Sequence, residues 1–428
     1  MIEAIENIKT KWLGAFPEHW QVLRIKNLFQ EMDSRSETGS EELLSVSHYT
    51  GVTLKRESLE NEDDHISNAE SLVGYKLVQQ QDLVINIMLA WNGSLGISPF
   101  NGITSPAYCV YRIKENNNPE YFGYLFTTNL FKAEFRRHST GIIDSRLRLY
   151  SDKFFSIFSV VPPKDEQDEI VQHIKAQSDK INLFIQKKRK FIELLQEQKK
   201  TLIYKCITQG IKPNTPVKEL DKETWFESIP KNWEAKKLKF ISKIIYGISP
   251  KETTYNDEGI GTVLINGPVE YSDEDFGYTR ELKWTTEPQK FAPKGALLFC
   301  LRGSTTGRLN ICHNDVSIGR GVAAIVSDSN QDYLIAVMTV VRDFISNTFK
   351  GSTFPSVNSN VLNNILIPLP DIKEQKQIVA HIKTETTTID TAIAKAEKEI
   401  ELIKEYKAAM ISEAVMGNKK INEKTSIN

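Results

Sequence analysis

Only four cysteines occur in 428 residues, Cys109, Cys206, Cys300 and Cys312, and no two of them form a C-x-x-C pair. That scarcity excludes a disulfide-stapled scaffold and the common zinc frameworks. Cys312 stands beside His313, but the two further ligands a zinc site needs are missing at suitable spacing. Free buried thiols are the expectation for a chain long enough to bury its own cores. Long apolar runs are also missing: no stretch approaches the roughly 20 residues of a membrane helix, and MIEAIENIKTKW lacks the apolar centre of a signal peptide. The chain is therefore expected in the cytoplasm, with no membrane partner. Nor does one charge dominate, with 54 Lys and Arg against 55 Asp and Glu. Any binding to nucleic acid has to come from local basic patches.

Catalytic signatures are equally scarce. The run GSTTGR, from Gly303 to Arg308, is one residue short of a phosphate loop and lacks the Lys-Ser/Thr ending. Asn118, Pro119, Glu120 and Tyr121 approach the Asn/Asp-Pro-Pro-aromatic loop of amino-methyltransferases, but the second proline is absent. No G-x-G-x-x-G follows a strand-like run. Asp221 with Glu234 and Lys236 can be forced into a nuclease metal set, yet such fragments arise freely where a quarter of the residues are charged, and solvated charge is the better reading. No catalytic residue and no metal ligand is assigned, no cofactor is expected in this chain, and the chain is expected not to be an enzyme.

What the sequence does have is repetition. EQDEIVQHI at 166–174 returns as EQKQIVAHI at 374–382, with six identities in nine at an offset of 208. The register persists on both sides. Upstream of each phrase is a proline-bearing strand-like run, FSIFSVVPPKD and NNILIPLPDIK. Downstream, Ile174, Ile181, Leu195 and Leu202 recur at seven-residue spacing or twice that, matched by Ile382, Ile389, Ile403 and Met410; Ile185 and Ile192 match Ile393 and Ile400. Lys188, opposite Ala396, interrupts the first stripe. Heptad spacing over about 40 proline-free residues predicts two helices about 60 Å long. Their apolar seams suit one another as an antiparallel coiled-coil pair related by an approximate two-fold. Charge agrees weakly, since 164–212 carries 11 basic and 7 acidic residues and 371–417 carries 7 and 9. His173 and His381 occupy equivalent positions, which predicts a structural role near each helix start.

A second echo pairs Trp12, Pro17 and Trp20 with Trp225, Pro230 and Trp233, which uses four of the six tryptophans. The chain thus reads as two tandem copies: a first domain over 1–163, a helical spacer over 164–212, a second domain over 213–370, and a C-terminal helix and tail over 371–428. Each domain is expected to be mixed α/β. LLSVSHY (43–49), DLVINIM (82–88) and AYCVYRI (107–113) read as strands before an apolar helix at 121–138; TVLINGP (262–268), ALLFCLR (296–302) and GVAAIVS (321–327) precede a helix at 332–349.

The shared frame presents different polar loops, AWNGSLG against RGSTTGR and STGIIDSRLR against KGSTFPSVNS. Such loops suit DNA, where Arg and Lys meet phosphates and Arg, Asn, Ser or Thr meet base edges. The candidate contacts are Tyr49, Lys55, Asn92, Ser94, Arg136, Arg137, Arg146 and Arg148 in the first copy. In the second they are Lys251, Arg302, Ser304, Thr305, Arg308, Arg320, Lys350, Ser352 and Thr353. Arg136 and Arg137 also stand where they would offset a helix C-terminal dipole.

A Pro-x-x-Trp element, a variable α/β segment, a proline-ended strand, then EQ-x-x-IV-x-HI and a long helix, all given twice, resembles the specificity subunit of type I restriction-modification systems. The resemblance covers essentially the whole chain. It implies two target recognition domains separated by conserved helical spacers, each reading one half of a bipartite asymmetric site in double-stranded DNA. It implies a non-catalytic subunit that docks two methylation subunits, which bind S-adenosylmethionine, and assembles with restriction and translocation subunits that use ATP and magnesium. Contact residues of the family do not transfer, because the recognition segments vary, and the match fades beyond Gly417. The alternative reading is a coiled-coil adaptor with two protein-binding α/β domains.

Overall fold

The computed structural model describes residues 11–418 apart from 56–70, 115, 144–145, 221–223, 273–276, 304 and 349–355. Two compact units divide the chain. One combines residues up to Lys188 with those from Lys398 onward; the other runs from Arg189 to Glu397. Both long helices are shared between the units.

The first unit holds β1 (Gln21–Arg24), β2 (Phe29–Met32), β3 (Leu83–Ile85), β4 (Leu95–Ile97), β5 (Cys109–Ile113) and β6 (Phe158–Val161). Four of them form an antiparallel sheet in the order β2-β5-β3-β4, with Leu83 opposite Tyr111, while β1 pairs with β6. β3 is buried at every position, which is why its sequence is the unbroken apolar run Leu83, Val84 and Ile85 instead of an alternation. A helix α1 (Pro119–Phe126) begins on Asn118, whose side chain accepts from Glu120 N, with Pro119 in the first turn. The single apolar helix expected to His138 is in fact two. Thr127 and Thr128 turn their hydroxyls back to Tyr124 O and Leu125 O, and Thr128 then caps α2 (Asn129–His138) by accepting from Phe131 N. Hydroxyl competition of this kind ends one helix and starts the next. Phe122, Phe126, Phe131, Phe135 and Phe154 are fully buried in this unit's core. From β6 the chain enters α3 (Lys164–Gln209).

The second unit repeats the plan with β7 (Glu234–Lys237), β8 (Ser242–Tyr246), β9 (Leu297–Cys300), β10 (Leu309–Ile311), β11 (Val322–Ser327) and β12 (Leu366–Leu369). The sheet order is β8-β11-β9-β10, all antiparallel, with Leu297 opposite Ile325, and β7 pairs with β12. A helix α4 (Gln331–Thr348) precedes β12, and α5 (Ile372–Val415) follows it. The strands β2 and β8 have no counterpart among the sequence expectations. They begin where the basic and apolar runs LRIKNLF (23–29) and KKLKFIS (236–242) end. The expected strands at 43–49 and 262–268 form but pair differently. Leu44–Ser47 makes a hairpin with Gly51–Leu54, whereas Thr262–Ile265 sits in a five-stranded sheet with one parallel pairing, Leu264 beside Ser317.

Within the first unit, Ile174 and Ile181 of α3 share a core with Met410, Ala414 and Val415 of α5, and Ile185 and Ile403 pack on it. Lys407 Nζ reaches Asn182 Oδ1 at 2.9 Å and Lys188 Nζ reaches Glu399 Oε2 at 2.6 Å, so the two segments run antiparallel. Lys188 interrupts the apolar stripe harmlessly because its stem covers the seam and its ammonium finds a carboxylate. Ile400 is buried here as well. Within the second unit, Leu202, Ile203 and Ile207 of α3 pack with Ile378 and Ile382 of α5, and Lys199 holds Asp390 at 2.7 Å. Ile389 is buried there, and Ile192, Leu195 and Ile393 are half-buried. Each helix stops at a glycine in the left-handed region, Gly210 at φ +77° and Gly417 at φ +68°. No helix among the described residues is long and apolar enough to cross a membrane.

Candidate nucleic-acid interface

The repeated phrases are joints that hold each loop-bearing sheet to its helix. Trp20 Nε1 donates to Glu166 Oε2 at 2.9 Å, and Trp233 Nε1 donates to Glu374 Oε2 at 3.0 Å. Gln167, 1% exposed, donates to Pro162 O at 2.8 Å and accepts from Asn118 N at 2.7 Å, which ties the end of β6 to the cap of α1. Gln375, also buried, donates to Pro370 O at 3.0 Å and accepts from Ser329 Oγ at 3.5 Å, close to the start of α4. Trp20 and Trp233 therefore serve the same purpose in the two copies, as do Gln167 and Gln375. In the first unit His19 adds a 2.7 Å contact to Glu166; Asn232 stands in its place in the second copy. His173 and His381 are half-buried on the helices.

In the first unit the expected contact residues come partly together. Asn92 lies in the turn Ala90–Asn92, against which α2 packs, and Arg136 stands 5.3 Å from the centre of the Trp91 ring. The Lys132 side chain lies over Gly93, which is at φ +88°, its Cε 2.5 Å from where a Cβ would stand. Lys132 is thus a basic neighbour that sequence reading missed; only its spacing of four from Arg136 on α2 hinted at it. The loop after α2 returns to the same place, with Thr140 bridged to Arg148 and Leu149 N donating to Ile87 O at 3.0 Å. Arg146 on this loop is exposed. Three residues behave differently from the expectation. Ser94 is 1% exposed, so its hydroxyl faces the interior. Arg137 is committed to an ion pair with buried Glu134, and Arg148 Nη1 donates to Leu147 O at 2.8 Å. Tyr49, 81% exposed, stacks beside His48 after the Leu44–Ser47 strand, and Lys55 lies half-buried at the end of the hairpin.

In the second unit Lys251, Arg302 and Arg320 are exposed. Arg302 is bridged to Ser356. Arg308 is turned inward, donating to Ser272 O at 2.8 Å and Pro268 O at 3.5 Å, where it holds a loop instead of facing outward. Thr305 is half-buried, its hydroxyl 3.6 Å from Cys300 Sγ. Ser304, Lys350, Ser352 and Thr353 lie outside the described residues. Cys312 is buried, and burial pushes its thiol up to about 12, which keeps it neutral and a poor ligand.

Comparison with known proteins agrees with this geometry. Residues 230–402 match the family model of the type I restriction modification DNA specificity domain. Over 435 residues the chain is 26% identical to the type I restriction enzyme MjaVIII specificity subunit of Methanocaldococcus jannaschii, covering 96% of each chain. Among solved structures, one described as the structural basis underlying complex assembly and conformational transition of the type I R-M system is similar at a TM-score of 0.71 and 18% identity. It covers 95% of this chain and 100% of the other. The crystal structure of the HsdS subunit from Thermoanaerobacter tengcongensis is similar at a TM-score of 0.54 and 19% identity, covering 96% and 100%. Residues 230–402 are thus similar to the DNA specificity domain of type I restriction-modification systems, and the chain along nearly its whole length is similar to a specificity subunit of those systems.

Proposed function

We propose that this chain is the DNA sequence-specificity subunit of a type I restriction-modification complex. Its two loop-bearing domains, 1–163 and 213–370, read the two halves of a bipartite asymmetric target in double-stranded DNA. Its long helices, within 164–212 and 371–428, dock two methylation subunits. The chain supplies recognition and no catalysis; S-adenosylmethionine, ATP and magnesium belong to the methylation and restriction subunits. One observation carries this reading: the sheet orders β2-β5-β3-β4 and β8-β11-β9-β10 coincide while the side chains on the connecting loops do not. A frame kept twice with different loops serves two different recognitions.

Docking is supported by apolar side chains the helices leave in solvent. In the first unit these are Leu183, Phe184, Leu402 and Tyr406; in the second, Phe191 and Leu194. Large apolar groups left exposed on helices mark interaction surfaces.

Methylome sequencing of cells with and without this gene tests the reading. The expected result is a split methylated motif that disappears on deletion; its persistence would overturn the proposal. The adaptor reading differs in salt dependence. Phosphate contacts predict that the assembled complex loses DNA affinity with a slope of about 0.9 log units per log salt for each contact, whereas an adaptor binds DNA weakly and without that slope.

A further inference from the structure

The turn that feeds the central strand of each sheet is the same in both units. Ser105 O accepts from Tyr108 N at 2.9 Å before β5, and Gly319 O accepts from Val322 N at 3.0 Å before β11. Between those residues stand Pro106 and Ala107 in the first unit but Arg320 and Gly321 in the second. Proline offers no donor at that point, whereas arginine offers five in a planar fork.

The backbone under Arg320 is held from several sides. Gly319 N donates to Ile265 O at 2.9 Å, Ile248 N to Ile318 O at 3.0 Å, and Gly247 N to Val322 O at 3.0 Å. Arg320 N itself donates to Ser249 Oγ at 3.1 Å, and that hydroxyl donates to Asn266 Oδ1 at 2.9 Å. A Cβ at Gly247 would stand 2.1 Å from Gly319 O, and one at Gly319 would stand 1.8 Å from Asn266 Oδ1. Three chain segments thus meet at a distance only glycine permits, and the hydrogen bonds from Ile248, Gly319 and Arg320 tie the turn to both neighbours. At its apex the Arg320 side chain is exposed, with no ion-pair partner among the described residues. Lys251, two residues beyond Ser249, is exposed as well. The contrast with Arg308, whose head group is spent on Ser272 O and Pro268 O, is direct.

We infer that Arg320 is a specificity-determining residue that donates to O6 and N7 of a guanine in the major groove, at one position of the half-site read by the second unit. This rests on the proposed role of that unit in DNA recognition. A rigid stem and an uncommitted fork suit the bidentate arginine–guanine pairing, which needs a planar donor pair held in register. The equivalent turn in the first unit, with Pro106, makes no such contact.

The test uses the full complex in cells and purified. Methylome sequencing compares the wild type with Arg320→Ala and Arg320→Lys, and competition binding uses duplexes changed one base pair at a time. Arg320→Ala is expected to make a single G·C position degenerate in one half of the motif, with discrimination there falling from roughly 5- to 150-fold toward unity; Arg320→Lys retains part of it, and the other half-motif is untouched. An unchanged motif overturns the inference. So does an affinity that falls alike on every duplex while the motif is kept, because that is a phosphate contact. If Arg320→Ala abolishes methylation, competition binding by the assembled complex decides: preference retained at every position overturns the inference, and preference lost at one supports it. A wild-type complex that methylates no split motif overturns the recognition role itself, and the inference with it.

Discussion

Trp20 donates its indole hydrogen to Glu166 across 2.9 Å, joining the first residues of the first unit's strand entry to the first turn of α3. The same bond, Trp233 to Glu374, recurs in the second unit at 3.0 Å. Both indoles are at most 5% exposed, so neither can exchange its acceptor for bulk water.

Glu166→Ala should therefore destabilise the chain by about 1–3 kcal/mol, the cost of leaving a buried donor without its charged acceptor. Glu166→Gln, which keeps an acceptor, should lose less. Urea denaturation followed by tryptophan fluorescence measures both; equal midpoints for Glu166→Ala and the wild type would show that the joint contributes nothing.

The two helix-ending glycines should respond unequally. Both have positive φ, which costs an alanine about 1 kcal/mol. At Gly210 the nearest atom to an added Cβ is 3.3 Å away, on the Trp233 ring. At Gly417 it would be 2.5 Å from Pro17 Cδ and 2.9 Å from the Trp20 ring. Proline and tryptophan rings cannot yield, so Gly417→Ala should cost about 1–3 kcal/mol more than Gly210→Ala. Thermal unfolding of the two variants checks the order, and a reversed order contradicts the packing.

Charge in the helix seam should be poorly tolerated. Ile181, 7% exposed, sits in the first unit's core with Met410, and Ile181→Asp places an unpaired carboxylate there at a cost of about 3–5 kcal/mol. Ile185→Asp and Ile192→Asp, at half-buried positions, should weaken the helix pair less. Circular dichroism melts rank the three; a neutral Ile181→Asp would refute the seam.

Thiol reactivity gives a pH test. Burial raises the Cys206 thiol, and raises Cys312 to about 12 from an ordinary value near 9. In the unfolded chain Cys312 ionises near 9, so its burial contributes stability that is fully present below pH 9 and is lost as pH climbs toward 12. Native protein at pH 8 should label with a thiol reagent first at half-buried Cys109, and the three buried cysteines should follow only on unfolding. Rapid labelling of Cys312 under native conditions would contradict its placement.

Long-period features were legible before the fold was known. Heptads at Ile174, Ile181 and Ile185 predict a seam because burial on a helix repeats with the turn, and those residues do line the first unit's core. Glu166 and Gln167 are legible as repeated but not as joints, since their partners Trp20 and Asn118 lie far away along the chain. In the sequence Ser94 and Arg308 are polar residues in loop-like stretches. Whether a loop side chain faces solvent depends on what folds against it, here the interior for Ser94 and the Ser272 carbonyl for Arg308. Lys132 escaped notice because its place beside Trp91 and Arg136 arises only when α2 packs on the Ala90–Asn92 turn.

By itself, the sequence determined the tandem plan, the α/β class of each copy and the two long helices, because periodicity and repeated motifs are local properties of the chain. Tertiary structure alone decided which polar residues face outward and how rigidly. Arg320 stands ready only because Gly247, Ser249, Ile265 and Asn266, from two other segments, close around its turn, and contact between distant segments is not written in the residues of any one of them.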